Sequence, residues 1–589
     1  MAVLPFIWKV LMPFNVGVNP VLNTTLGPVE GNWELSSNNI AYMAFTGIPF
    51  AKPPIGDLRF ANPEPADAWT GTLDATRPAP RCAQRNYVFF ENPAIEGSED
   101  CLYLNIYVPV MDISKCERIR TQTVMAAIHW GGFMAGGSDA GYLGPNYFMN
   151  KGVILVTFNY RLGIFGFLST LDDAAPGNVG LKDQVMALKW IKQNIGSFGG
   201  NPEKVTIFGQ SAGAVSVHFH LVSKASDGLF ARAISQSGSA LTPWALPNNT
   251  LQLIVTKTQG MLVNCNNANT YALVNCLRNI SADVLLQTQG AFKVFHRFPF
   301  TLWSTVVETA TARNPNPFIT DKVLINLKYG NVKHVPWMTG VVQNEGLLVA
   351  ASLLTVHSEK EDLNKGFNET MIKLLGLESF DAETQGAYNK IFDFYLHHDN
   401  LDVQDTHQVK GFIDVWSDRY FVYPLYKALK LQLSQGHNSI YLYNFEYSGE
   451  YTYAATFSTQ SKSYNYHLGP SHCDDLLYQF GTPDLFYNLT HPNDLALTNI
   501  WLGLWTNFAI YGDPNPPENK ILNVNWDPLP TGELHIGDTL FLNVTGSKYT
   551  GAHFNMWQGF YEERMALWTQ INIAGNRAIL RHILELGLN

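Results

Sequence analysis

Much of what would direct a chain to a membrane, a nucleic acid or a string of modules is missing from this sequence of 589 residues. Beyond the first eighteen residues, no stretch approaches the roughly 20 apolar residues of a membrane span. Charged side chains make up only 15%, the formal net charge is −10, and no basic cluster stands out. That balance argues against nucleic acid and gives no support for binding to anionic membranes. Linker-like Gly/Ser or Pro runs, charge blocks and internal repeats are all lacking. What is there is 46% hydrophobic and 13% aromatic, enough for one large core. The expectation is a single large catalytic domain with insertions over 19–589.

Cysteine is sparse, with six in the chain, but its placement is informative. Cys82 and Cys101 bracket a loop that ends Ser98-Glu99-Asp100, and Cys265 and Cys276 bracket another. Local pairs that close polar loops read as disulfides and point to an oxidising compartment; buried free thiols are the alternative. Cys116 and Cys473 are left over. Asn-x-Ser/Thr occurs at Asn23, Asn248, Asn279, Asn368, Asn488 and Asn543, about as often as chance supplies. The stretch 1–18 is apolar but interrupted by Pro5, Lys9 and Pro13, and it lacks a positive n-region. It reads as a candidate signal peptide, with a core segment as the alternative. The last residues, Glu585-Leu586-Gly587-Leu588-Asn589, spell neither an anchor tail nor a retention signal. Secretion is the expectation.

Short apolar runs at 124–129, 153–159, 205–208, 231–235, 335–342 and 439–445 alternate with helical patterns such as 181–195. That alternation specifies an α/β fold with a large, mostly parallel sheet flanked by helices. Alternating runs at 42–48 and 102–108 read as antiparallel strands on one edge. Two mainly helical regions, about 245–330 and 350–435, are expected to cap the sheet edge where ligands bind in such folds.

The run at 205–208 ends in Gly209-Gln210-Ser211-Ala212-Gly213, and a helix-competent segment follows at 214–221. Strand, sharp turn and helix are the context in which Gly-x-Ser-x-Gly holds a nucleophile at the top of a sheet. A serine hydroxyl is a poor nucleophile near neutral pH. It needs a base, a carboxylate to orient that base, and donors for the oxyanion. Donors are offered by Gly131 and Gly132, in the His129-Trp130-Gly131-Gly132 turn after a strand, and by the N–H of Ala212. The acid candidate is Glu345 in Gly340-Val341-Val342-Gln343-Asn344-Glu345-Gly346. His472 in Gly469-Pro470-Ser471-His472-Cys473-Asp474-Asp475 is the base candidate. On spacing alone, a solvated glutamate and a structural histidine remain open as alternatives.

These residues, with Ser98-Glu99-Asp100-Cys101-Leu102-Tyr103-Leu104-Asn105, Asn159-Tyr160-Arg161-Leu162-Gly163, Gly177-Asn178-Val179-Gly180 and Phe198-Gly199-Gly200-Asn201-Pro202, resemble the type-B carboxylesterase family of α/β-hydrolases. The resemblance covers about 23–560. It implies a Ser211–Glu345–His472 triad, an oxyanion hole at Gly131, Gly132 and Ala212, and the disulfides Cys82–Cys101 and Cys265–Cys276. It also implies buried ion pairs Arg59–Glu99 and Arg161–Asp183, Ser237 behind the triad, and Trp244 in the acyl pocket. Trp130 departs from the glycine usual before the two donor glycines. The implied partner is a small apolar ester, cleaved without metal or cofactor by a monomer or homodimer. A non-catalytic adhesion protein on this fold would be expected to lack a triad member, and every position here is filled. A cholinesterase would carry a Trp in the first disulfide loop, where this chain has Tyr87, Phe89 and Phe90. The Gln210 spelling of the elbow is similar to that of the juvenile-hormone-esterase branch, with the broader insect carboxylesterases as the alternative.

Overall fold

The β-branched and small apolar runs become the strands of one sheet of 11. We label them β1 (Asn32–Leu35), β2 (Ala41–Pro49), β3 (Tyr103–Pro109), β4 (Gln122–Ile128), β5 (Ile154–Phe158), β6 (Gly200–Gln210), β7 (Arg232–Gln236), β8 (Trp337–Val342), β9 (Ile440–Phe445), β10 (Leu540–Ser547) and β11 (Gly551–Gln558). The computed structural model describes residues 18–90, 93–110, 121–246, 248–299, 301–377, 382–397, 400–458 and 468–571. Residues 1–17 of the candidate signal peptide, and Cys116, lie outside them.

Across the sheet the order is β11-β10-β9-β8-β7-β6-β4-β5-β3-β2-β1. From β5 to β10 neighbouring strands are parallel. The flanking pairs β5–β3, β3–β2, β2–β1 and β10–β11 are antiparallel. Residues 124–128 and 154–158 are buried throughout, as strands covered on both faces must be. The chain leaves β4 for β5 on one side, then returns to lay β6 on the other side of β4. Loops from the carboxyl ends of β4 and β6 therefore diverge, leaving a crevice between them. Ligands bind at such reversals in open α/β sheets.

Helices α1 (Val179–Asn194) and α2 (Ala212–Val222) cover the sheet. In the first insertion lie α3 (Asn249–Leu262), α4 (Thr270–Arg278) and α5 (Ala282–Gln287). Each starts where a polar side chain, from Asn248, Asn269 or Ser281, accepts a free backbone N–H of the first turn. The helical expectation for 245–330 fails in its second half: among the described residues of 293–322 none is in a regular helix. Pro299, Pro315 and Pro317 interrupt it. The buried Glu308 organises it instead, accepting from Asn178, Asn314 and the Phe318 N–H. The second insertion is helical, including α6 (Leu347–Thr355) and α7 (Thr406–Ser417). Among the described residues, no helix is long and apolar enough to cross a membrane.

Disulfides join Cys82 to Cys101 and Cys265 to Cys276, and Cys473 is a buried free thiol. Arg161 grips Asp183 through two parallel bonds of 2.7 and 2.8 Å and also donates to the Ala61 carbonyl. Arg59 pairs with Glu99 and donates to the carbonyls of Arg278 and Ile280. Each arginine thus ties two distant segments together, and losing either carboxylate would strand a buried charge.

Candidate active site

Ser211 sits between β6 and α2 with φ 55° and ψ −122°, a backbone conformation rare for a residue with a Cβ. The strain is held from both sides: its N–H donates to Gln236 on β7 and its carbonyl accepts from Val215 on α2. The flanking glycines are required by space. A Cβ on Gly209 would come within 2.6 Å of the Ile128 carbonyl oxygen, and one on Gly213 would collide with the same oxygen. Strand β4 and the elbow therefore pack backbone to backbone.

The β4 loop supplies the other half of the crevice. Gly131 has φ 109° and Gly132 φ 63°, and a Cβ on Gly131 would collide with the Ala135 carbonyl. Among the described residues, no hydrogen bond occupies the backbone N–H of Gly131, Gly132 or Ala212. Buried N–H groups are rarely left free. Three of them beside a buried serine, one at the positive end of α2, can receive a developing oxyanion.

Glu345 follows β8 and is completely buried. One carboxylate oxygen accepts the Val342 N–H at 2.8 Å, and the other is paired with His472 Nδ1. The loops carrying acid and base are joined directly. Asn344 N–H donates to the Pro470 carbonyl, Asn344 Nδ2 donates to the Leu468 carbonyl at 2.9 Å, and Asn344 and Ser471 form a bridge. Behind Glu345, the Ser417 hydroxyl accepts the Gly346 N–H at 2.8 Å. A Cβ on Gly346 would strike the Ile413 carbonyl on α7. The ring of Phe421 packs against His472 with centroids 4.5 Å apart.

Among the described residues the imidazole pairs with Glu345 and the Gln210 amide, and not with the Ser211 hydroxyl. With Nδ1–H directed to Glu345, Nε2 is left as the basic nitrogen, the tautomer a general base requires. Asp474 accepts the N–H groups of Ser471 and Tyr453, which shapes the turn at His472. Burial pushes its pKa up to about 8. Asp475 accepts from Gln236 and Tyr443, and burial raises its pKa to about 6. Ser237, which the resemblance puts behind the candidate triad, is fully buried with φ 57°, and its hydroxyl has no hydrogen-bond partner among the described residues.

Ser211, His472, Gly131 and Gly132 share the wall of one cavity. The rest of the lining is largely apolar: Val88 and Phe89 from the first disulfide loop, Trp130 and Trp244, and Phe298, Leu348, Leu374, Tyr420 and Phe457 from the insertions and later loops. Lys373 stands on this wall and pairs with Glu369. The family resemblance puts Trp130, Trp244 and Phe89 near the site and does not point to the remaining wall residues. Their only sequence signal is apolarity inside an insertion, which core residues share.

A family model described as "Carboxylesterase family" matches residues 18–557. The chain is 47% identical over 567 residues to a juvenile hormone esterase of Tribolium castaneum, covering 95% of each chain. It is 37% identical to venom carboxylesterase-6 of Apis mellifera, over 88% of this chain and 90% of the relative. Its fold matches the crystal structure of juvenile hormone esterase from Manduca sexta with OTFP covalently attached. That match has a TM-score of 0.79 at 26% identity, covering 94% of this chain and 99% of the other.

Proposed function

The chain belongs to the carboxylesterase family and is a carboxylic ester hydrolase, and we propose that it cleaves the methyl ester of juvenile hormone with Ser211, His472 and Glu345 as its triad. The Ser211 oxygen adds to the ester carbonyl while His472 Nε2 takes its proton. The resulting oxyanion lies against the N–H groups of Gly131, Gly132 and Ala212. Collapse expels methanol, protonated by His472, and leaves an acyl group on Ser211. Water, deprotonated by His472, then releases the acid and restores the serine. No step calls for a metal or cofactor.

The observation that carries the substrate reading is the cavity lining: one polar end at Ser211 and His472, and largely apolar walls elsewhere. A terpenoid with a terminal conjugated ester has that shape and polarity. Burial of its chain would contribute roughly 25 cal/mol per Å². Similarity to the Tribolium enzyme over 95% of the chain points the same way. The lack of a Trp in the loop between Cys82 and Cys101 disfavours a quaternary ammonium ester. A broader carboxylesterase is the second reading, favoured by the 37% identity to the venom enzyme. The test is to compare kcat/KM for juvenile hormone, nitrophenyl butyrate and acetylcholine on one purified sample. Brisk cleavage of the short ester, with juvenile hormone neither substrate nor competitor, would establish the second reading.

We read 19–589 as one catalytic domain and the enzyme as secreted. Two disulfides support secretion, and the exposed sequons at Asn23, Asn279 and Asn488 permit it. The sequon at Asn543 cannot be used by the folded protein, because Asn543 is fully buried on β10 and accepts from Asn444.

A further inference from the structure

Gln210 precedes the elbow serine, and its side chain turns toward the base. The amide nitrogen lies 3.4 Å from Nδ1 and 3.2 Å from Nε2 of His472. A group in the ring plane at nearly equal distances from both nitrogens would overlap the carbon between them. The amide therefore lies over the face of the ring, with its N–H dipole directed at the π cloud, and leaves the Nε2 lone pair free. The other end of the amide is fixed: Gln210 Oε1 accepts from the Cys473 thiol at 3.1 Å. Gln210 and Cys473 are both buried, so water does not compete for either contact.

We propose that Gln210, oriented by the Cys473 thiol, is a positioning residue that sets the basicity of His472 by presenting the positive end of its amide to the ring face. The proposal rests on the triad reading above. An N–H dipole over a neutral imidazole is a weak attraction, whereas over an imidazolium it repels. The arrangement thus favours the neutral base. Were the amide reversed, its carbonyl oxygen would face the ring and favour the cation. Only a neutral thiol can donate to Oε1. Burial, with Asp475, Glu345 and Asp474 nearby, raises the Cys473 pKa well above its ordinary value and keeps the thiol protonated. The titratable groups that face His472 are Glu345 on Nδ1, and Asp474 and Asp475 in the following turn.

Gln210→Glu replaces the dipole with a carboxylate. It is expected to move the acid limb of the kcat/KM profile upward by about one pH unit, the size of effect an adjacent opposite charge produces. Cys473→Ala frees the amide to reverse and should move the limb the same way by a smaller amount, roughly half a unit. Cys473→Ser, which keeps a donor, should restore the wild-type limb. The pH dependence of Ser211 labelling by a fluorophosphonate gives the same readout when turnover is slow. If Gln210→Glu does not fold, the Cys473→Ala and Cys473→Ser pair decides. An unmoved limb in the folded variants, with or without a change in Tm, overturns the proposal. Its failure is separable from failure of the triad: only the latter predicts that folded Ser211→Ala retains turnover.

Discussion

Backbone holds the end of the cavity where Ser211, Gly131, Gly132, Glu345 and His472 meet; side-chain packing holds the walls around it. At the reacting end, β4 and the elbow touch main chain to main chain at Gly213, and the acid and base loops are joined by backbone bonds through Asn344. On the walls, Phe298, Leu374, Tyr420 and Phe457 come from four segments far apart in the chain. The contrast teaches that chemistry and selectivity here have different tolerances. A backbone site loses its geometry when one Cβ is added. An apolar wall changes volume and leaves the chemistry intact.

The contrast is broken most severely at Ser211. Ser211→Ala should lower kcat by about 10⁴–10⁶-fold while circular dichroism and Tm stay near wild type. Near-normal turnover by the folded variant would remove the serine from the mechanism. Next comes the donor loop. Gly131→Ala should lower kcat by about 10²–10³-fold, the worth of an oxyanion donor, with a smaller effect on KM. A change confined to KM would make this loop a wall after all.

The walls should respond in the opposite sense. Phe298→Ala should raise KM for a long apolar ester roughly tenfold, from lost buried area, and leave kcat for nitrophenyl acetate nearly unchanged. Equal losses for both esters would show that the wall acts on the chemistry.

The smallest effect at neutral pH concerns the scaffold beneath both regions. His129, stacked on Tyr160, has its pKa lowered by burial to about 4; His218 and His220 fall to about 3, and His437 to about 4. The unfolded chain binds protons at these sites near pH 6.5, and the folded chain does not. The stability these four histidines contribute is therefore complete above pH 6.5 and is lost as pH falls from 6.5 toward 3, while the buried carboxyls of Asp474 and Asp475, raised to about 8 and about 6, act in the opposite sense. Each histidine adds a slope of up to about 1.4 kcal/mol per pH unit. Thermal denaturation from pH 7.5 to 4.5, run on the wild type beside a His220 variant, checks this, and equal pH slopes for the two would contradict it. Replacing His220, which is remote from the site and bonded to Ser226 and Gln184, by Gln should flatten the slope without touching kcat.

The same contrast explains what could be read in advance. The elbow, the donor glycines and the Gly340-to-Gly346 turn were legible because a backbone geometry that excludes Cβ atoms must be spelled with glycine at fixed spacing. The central strands were legible because double burial makes them continuously apolar. The irregular 293–322 segment was not, since part of its order comes from Glu308 bonding to Asn178, 130 residues away. Gln210 showed as an unusual spelling, but nothing local reveals that its amide reaches across to His472.

The loop between Cys82 and Cys101 carries one last consequence. It is covalently closed at its base, 19 residues from end to end, yet it reaches the cavity with Val88 and Phe89. Such a loop is a cassette. Its tip can drift in sequence, or be exchanged between relatives, while its anchor keeps the exchange from spreading to the sheet. Substrate range in this lineage can therefore diversify at that tip without any reinvention of the catalyst.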